Sequence, residues 1–281
     1  MRPVASTKGI SLRGGTAHDA SRALPEEWAV ALVYNGSTRA VMMATPADLH
    51  DFAVGFSLTE GIATPDQIAE LEVVDHDLGA EVQMWVGTDR AEALAARARA
   101  SIGPVGCGLC GIDSLEQALR PLPDLPPSTL TLTPDDIDAA TNGLRAGQPL
   151  HDQTRAMHAA GFYVPGTGLT HIREDVGRHN ALDKLIGALA RDGVDRATGA
   201  MVITSRVSVD MVQKTVMAGC PALIAVSAPT AHAVRLAHDA NLTLIALARG
   251  DGADVFSGAA RIRTAPPGTA PIGHGETTHV A

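Results

Sequence analysis

Apolar residues along the chain fall into two rhythms. In the first half they alternate. The stretch "EWAVALVYNGSTRAVMMAT" (27–45) reads as two strands around Asn35-Gly36, a dipeptide suited to a tight hairpin turn. In "TPADLHDFAVGFSLTEG" (45–61), Leu49, Phe52, Ala53 and Phe56 recur at helical spacing. Thr45 is the expected cap, Pro46 suits the first turn, Asp48 stands three residues after Thr45, and Gly61 ends the helix. "TPDQIAEL" (64–71) reads as a short helix and "EVQMWVG" (81–87) as a strand. "DRAEALAARARAS" (89–101) and "IDSLEQAL" (112–119) read as helices. The proline-rich "RPLPDLPPSTLTLTPDDI" (120–137) is expected to cross the surface into a helix beginning near Asp135.

The second half repeats a different unit. "ATGAMVITS" predicts a strand, "VDMVQKTVMAG" a helix, "PALIAVSA" a strand, "TAHAVRLAHDA" a helix and "LTLIALAR" a strand. Such a β-α-β-α-β run predicts a layered α/β domain with a largely parallel sheet. The expected organisation is a loose leader over 1–25 and an N-terminal α+β portion over 26–125. A C-terminal α/β domain over 126–265 and a flexible tail over 266–281 follow.

Composition narrows the class. The chain has 281 residues, 45% of them hydrophobic and 19% charged, which is globular composition. A net charge of -9 argues against a broad nucleic-acid surface, while leaving room for a local basic cleft. No apolar run reaches membrane-spanning length, and the first twenty residues have no apolar signal core. Three cysteines are too few for a disulfide scaffold, so the expected location is cytoplasmic.

Two of those cysteines, Cys107 and Cys110, sit in "GCGLCG". Structural zinc needs two further ligands, which this pair lacks locally. A thioredoxin-type pair wants a helix start after the first thiol, and the surrounding glycines argue for a loop instead. Incidental thiols in a turn are a further reading. The last is sulfur carriage, in which a loop thiol accepts sulfur as a persulfide and passes it on. The residues of this segment leave these readings open. Cys220, beside Pro221, reads as a small buried apolar residue.

A second set of residues carries charge rather than thiols. "HIREDVGRHNALDKLIGALA" (171–190) reads as a polar loop entering a helix, with Asn180 as cap and Leu182, Leu185, Ile186 and Leu189 as its apolar face. Arg173, Arg178, His179 and Lys184 gather positive charge there, Glu174 and Asp175 orient it, and Gly177 allows a close turn. Helix N-termini and forked arginines together favour anions; the competing reading is a surface ion-pair network. "HDQTRAMHAAG" adds His151, Asp152, Thr154, Arg155 and His158. "TSRVS" adds Thr204, Ser205, Arg206 and Ser208 after a strand, where open α/β sheets place ligands. Lys214 reads equally as a phosphate partner or a solvated lysine.

Together, "MATPADLHDFAVGFSLTEGI", "CGLCG", "EDVGRHNALDKLIG" and "SRVSVDMVQKTVMAG" resemble the FdhD/NarQ family, the sulfurtransferase accessory proteins of formate dehydrogenase. The resemblance runs from about residue 25 to residue 260. It implies persulfide sulfur received from a cysteine desulfurase at Cys107 and Cys110. It implies delivery to the bis-molybdopterin guanine dinucleotide cofactor, which guanine nucleotides mimic, for a formate dehydrogenase or related molybdoenzyme. The alternative is a chaperone that binds and delivers the cofactor without touching sulfur. The cofactor-binding residues so implied are Arg173, Asp175, Gly177, Arg178, His179, Asn180, Ser205, Arg206, Ser208, Lys214 and His158. The family is similar to the cytidine deaminase fold and forms homodimers. This chain lacks the deaminase zinc signature: "HAA" follows where H-x-E is needed, and the C-x-x-C precedes it. No tightly held metal is therefore expected. Where the family carries a glycine-rich "TGG" before the histidine matched to His158, this chain has Thr154, Arg155, Ala156 and Met157.

Overall fold

The computed structural model describes residues 2–90, 121–250 and 252–264. The expected helices over 89–101 and 112–119 and the "GCGLCG" segment with Cys107 and Cys110 lie almost wholly or wholly outside these residues. So does the tail beyond 264.

The chain opens on a two-stranded antiparallel ribbon, β1 (Val4–Arg13) and β2 (Thr16–Pro25). The expected loose leader is therefore ordered. Its polar composition hides the strands from a hydrophobic pattern, but Gly14 and Gly15, both at positive φ, make the tight turn that closes them. Next comes a four-stranded sheet of β3 (Trp28–Tyr34), β4 (Ser37–Ala44), β5 (Ile68–His76) and β6 (Gly79–Val86), in the order β4-β3-β6-β5. Asn35 and Gly36 form the β3–β4 turn, both at positive φ as expected. The expected helix over 64–71 shrinks to one 3-10 turn, Pro65–Gln67, before β5 begins. The β5 residues Leu71 and Val73 pack into the sheet's core, and tertiary pairing overrides the local helix signal.

Helix α1 (Leu49–Thr59) lies on the inner face of this sheet. Phe52, Ala53 and Phe56 meet Val30, Leu32, Val82 and Met84 there. Thr45 does not cap it. The cap position is Asp48, in the left-handed region with φ 53, because Thr45 is engaged elsewhere.

The larger sheet has six strands: β7 (His158–Val164), β8 (Gly168–Asp175), β9 (Ala200–Ile203), β10 (Ala222–Ala225), β11 (Thr243–Arg249) and β12 (Gly252–Ser257). Their order is β12-β11-β10-β9-β7-β8. β9, β10 and β11 are parallel neighbours, as the β-α-β-α-β pattern predicts; β7, β8 and β12 are added antiparallel. The "HIRED" stretch expected as loop is the end of β8. Its charged side chains have buried partners, so a strand with no apolar alternation is still stable.

Helices α2 (Pro134–Ala146) and α3 (Pro149–Thr154) precede β7. α4 (Arg178–Arg191), α5 (Val209–Met217) and α6 (Ala231–Asp239) follow β8, β9 and β10. One apolar core holds Leu182, Leu185, Ile186 and Leu189 of α4 with Met211 and Val212 of α5 and Ala233 and Ala237 of α6. Another, on the opposite sheet face, holds Ile137, Ala140 and Leu144 of α2. Thr133 caps α2 with a reciprocal capping box to Asp136, and Pro134 opens its first turn, close to the expected start.

The two halves meet where α1 crosses α4. A Cβ on Gly55 would sit 1.8 Å from the carbonyl oxygen of Asp183, and one on Gly187 would sit 1.8 Å from that of Asp51. Only glycine lets these backbones touch. Around the crossing lie buried charges. Asp51 binds Arg173 through Nε (2.8 Å) and Nη2 (2.7 Å), and also Arg191. The layers therefore run four-stranded sheet, α1, α4 with α5 and α6, six-stranded sheet, α2. Among the described residues, no helix is long and apolar enough to cross a membrane.

Candidate functional site

The residues singled out in the sequence separate into two groups. The first is locked inside the scaffold. Asp175, fully buried at the end of β8, accepts from Lys184 Nζ (2.6 Å) and from the Thr45 amide (3.0 Å) with Oδ2. Its Oδ1 accepts from the Gly177 amide (2.7 Å) and Asn180 Nδ2 (3.0 Å). Lys184, completely buried, also donates to the Thr45 carbonyl at 2.9 Å. Thr45 Oγ1 accepts from the Val176 amide, so this threonine pins the end of β4 to the β8–α4 turn. Asn180 is not the cap of α4. Gly177 holds that position, and Asn180 Nδ2 donates to the Met43 carbonyl from inside the first turn. A Cβ on Gly177 would come within 2.8 Å of that Nδ2, so the glycine is needed for close approach.

Lys214 of α5 belongs to the same locked group. Its ammonium donates to Asp183 Oδ1 (3.0 Å) and Oδ2 (2.9 Å), to Glu60 Oε1 (3.2 Å) and to Thr59 Oγ1 (3.1 Å). Burial works against the charge, but Asp183 and Glu60 carry its pKa upward and keep it protonated. Its charge is thus compensated within the chain. Glu174 accepts the amides of Leu150 and His151, both at 2.8 Å, and so holds the start of α3. Arg155 ends α3 on the surface at φ 59, and Thr154 Oγ1 donates to the Leu150 carbonyl. Cys220 is buried, and burial pushes its thiol up to about 11, in keeping with an inert apolar role.

The second group is open. Arg178 and His179 occupy the first turn of α4; Ser208 caps α5, and Asp210 sits in its first turn. His179 Nε2 stands 3.6 Å from Asp210 Oδ2, so the two helix N-termini adjoin. The imidazole beside it holds the Asp210 carboxyl below the usual range. Arg178 Nε and Ser208 Oγ are each buried without a hydrogen-bond partner among the described residues, as is Gln148 Nε2 at the start of α3, and His179 Nε2 has only its long contact to Asp210. Such atoms are rare because each forfeits hydration for nothing in return. His158 starts β7 directly opposite Asp175 in register. Burial first, then the nearby Arg178, lowers its pKa; His179 and His151 add to the effect. The neighbouring Ala159 amide donates to Thr204 Oγ1 at 3.0 Å, which brings the "TSRVS" loop against the same strand end. Ser205 is buried there and Arg206 exposed.

The structure thus gathers His158, Arg178, His179, Ser208 and the 204–208 loop at the carboxyl end of β9, where two helix N-termini add their partial positive charge. It sets Arg173, Asp175, Asn180, Lys184 and Lys214 into the scaffold behind them. Asp210, Asp183, Asp51 and Thr45 were not singled out as site or interface residues. Asp210 lies two residues after Ser208 in an expected helix start, a readable signal, but Asp51 and Asp183 gain meaning only from the α1–α4 crossing.

Fold and cluster define a class: a layered α/β protein presenting cationic and hydroxyl donors at the carboxyl ends of parallel strands, a chemistry suited to anions. The FdhD/NarQ family profile matches residues 25–263, and the chain belongs to that family. It is 53% identical to the sulfur carrier protein FdhD of Agrobacterium fabrum, over 90% of this chain and 93% of that one. It is 43% identical to the protein of the same name from Bordetella petrii, over 92% and 93%. A crystal structure of a formate dehydrogenase accessory protein from Desulfotalea psychrophila shares the fold, with a TM-score of 0.74 at 24% identity, over 93% of this chain and all of that one.

Proposed function

We propose that the open cluster is where this sulfur carrier holds its cargo, and that Cys107 and Cys110 bring sulfur to it. As an FdhD-type protein the chain is a sulfurtransferase of formate dehydrogenase maturation. The observation that carries the site reading is the pair of buried atoms Arg178 Nε and Ser208 Oγ, unpartnered among the described residues, at two helix starts joined by the His179–Asp210 contact. The donors fit the phosphates of a guanine dinucleotide, so bis-molybdopterin guanine dinucleotide is the proposed cargo and GDP its simplest probe. Arg206, exposed on the adjoining loop, extends the cationic rim, and Ser205 shapes it. Arg173, Asp175, Gly177, Asn180 and Lys214 support the site from behind.

The sulfur chemistry balances as follows. A thiolate at Cys107 or Cys110 attacks the outer sulfur of a desulfurase persulfide, forming a new persulfide and releasing the desulfurase thiolate. Attack of the second cysteine on the inner sulfur then releases sulfide toward the cargo and leaves a Cys107–Cys110 disulfide, which a cellular dithiol reduces. The proposed donors and clients are a cysteine desulfurase and a formate dehydrogenase or related molybdoenzyme. The proposed setting is the cytoplasm, the proposed assembly a homodimer. A finer likeness of the six-stranded sheet to the cytidine deaminase fold is part of the same reading.

The test is mass analysis of the peptide holding residues 107–110 after incubation with desulfurase and cysteine. A gain of one sulfur, lost when cargo is added, supports the reading. No gain, with GDP binding intact, would favour delivery of the cofactor without sulfur transfer.

A further inference from the structure

His158 opens β7 half-buried, with basic side chains around it. Arg178 and His179 approach from the first turn of α4. His151 approaches from α3, where its Nδ1 donates at 3.1 Å to the carbonyl of Met157, the residue before His158. Thr204 brackets the residue after it. Its amide donates to the Ala159 carbonyl (3.1 Å), and its Oγ1 accepts from the Ala159 amide (3.0 Å). The loop carrying Ser205 and exposed Arg206 therefore starts beside the same strand end.

The carboxylate nearest in register is already occupied. Asp175 stands opposite His158 across β7 and β8, on the same face of the sheet. Its Oδ2 accepts from Lys184 and the Thr45 amide, and its Oδ1 from the Gly177 amide and Asn180. Four donors fill the lone pairs of one carboxylate, so none is left for an imidazolium. Burial and Arg178 favour the neutral imidazole, His179 and His151 add to them, and Asp175 opposes them only in part. An anion is the partner this position lacks.

We propose that a phosphate of the cargo lies against His158 and arrives together with one proton, which the imidazole takes up from solvent. The neutral ring becomes an imidazolium that donates to a phosphate oxygen, beside Arg178. This rests on the cargo reading above and deepens it, because it sets the phosphate end of the ligand at the start of β7. The sign of the pH dependence follows. His158 without ligand holds its proton less tightly than an ordinary histidine, and an adjacent phosphate tightens it. Affinity therefore rises as pH falls from above the ligand-bound value toward the lowered free one, by at most about tenfold per pH unit for one proton.

Calorimetric titration of GDP into the full chain at pH 7.5, in buffers of different ionisation enthalpy, counts the protons exchanged. The wild type is expected to take up about half a proton or more per GDP, and to bind about threefold or more tightly at pH 7 than at pH 8. The terminal phosphate of GDP titrates near pH 6 and sheds protons when cations bind it, so net uptake cannot come from the ligand. His158→Gln should bind with no uptake and with an affinity that is flat over this range. His179→Gln should keep the uptake, because Asp210 already faces that imidazole. Binding by the wild type without net uptake overturns the inference with no variant needed. Uptake that survives in His158→Gln, or that is lost in His179→Gln, overturns it as well, and in each case the cargo site stands. No GDP binding at any pH overturns the cargo reading and the inference together.

Discussion

Two regions of this molecule draw on the same residue types and reach opposite ends. At the α1–α4 crossing, Lys184, Lys214 and Arg173 are matched by Asp175, Asp183, Glu60 and Asp51, and each ammonium or guanidinium has carboxylate oxygens within reach. At the first turns of α4 and α5, only a few residues away, Arg178 Nε and Ser208 Oγ are buried with no hydrogen-bond partner among the described residues, and His179 has only a long contact to Asp210. Paired charges build the frame, whereas the unpaired polar atoms are where the proposed cargo would complete the hydrogen bonding. Sign and sequence proximity alone do not distinguish the two.

The largest effect should come from the crossing itself. Gly187→Ala puts a methyl group 1.8 Å from a backbone oxygen, where no side chain can yield, so α1 must leave α4. Far-ultraviolet circular dichroism and thermal melting should show a chain that does not fold cooperatively. Next is Lys214→Met, which leaves Asp183 buried and uncompensated. A cost of roughly 3–5 kcal/mol is expected from urea unfolding, with part regained when Asp183→Leu is added. If Lys214→Met proves as stable as wild type, the closed region is not held by its ion pairs.

The open region should respond the other way. His179→Ala removes only a long 3.6 Å contact to Asp210, so its unfolding free energy should stay within about 1 kcal/mol of wild type while GDP affinity falls. His158 offers a pH test of the same region. Its folded pKa lies below the ordinary 6.5, so the unfolded chain takes up its proton first. The stability it confers is intact above about pH 6.5 and declines as pH falls toward its lowered folded value. His158→Gln should flatten that part of the urea-derived stability profile. The smallest effect belongs to Arg155→Ala on the surface. It stands 3.8 Å from Asp152, a carboxylate that already binds Arg145 at 2.8 Å, and the change should alter neither melting nor binding.

Much of this was legible in the letters. The β-α-β-α-β run of the second half, the Asn35-Gly36 turn and the apolar face of α4 follow from periodicity. Arg178, His179, Ser208 and His158, named together from the family resemblance, stand in the structure at neighbouring helix and strand starts. The residues that misled were those whose partners are distant in sequence. Lys214 reads as a helix-surface cation until Glu60, more than 150 residues earlier, is brought beside it by the glycine crossing. Thr45 reads as a cap for the same reason, since its real partners are Asp175, Val176 and Lys184. The ribbon was missed because neither strand contributes to an apolar core among the described residues.

Calorimetric titration of GDP into wild type and Arg178→Ala tests the central claim directly. Loss of a charge-assisted contact of roughly 1.5–3 kcal/mol predicts about tenfold or greater weakening, with the melting temperature of the free protein unchanged. Equal affinity in the two proteins would contradict it and return the unpaired atoms to the scaffold.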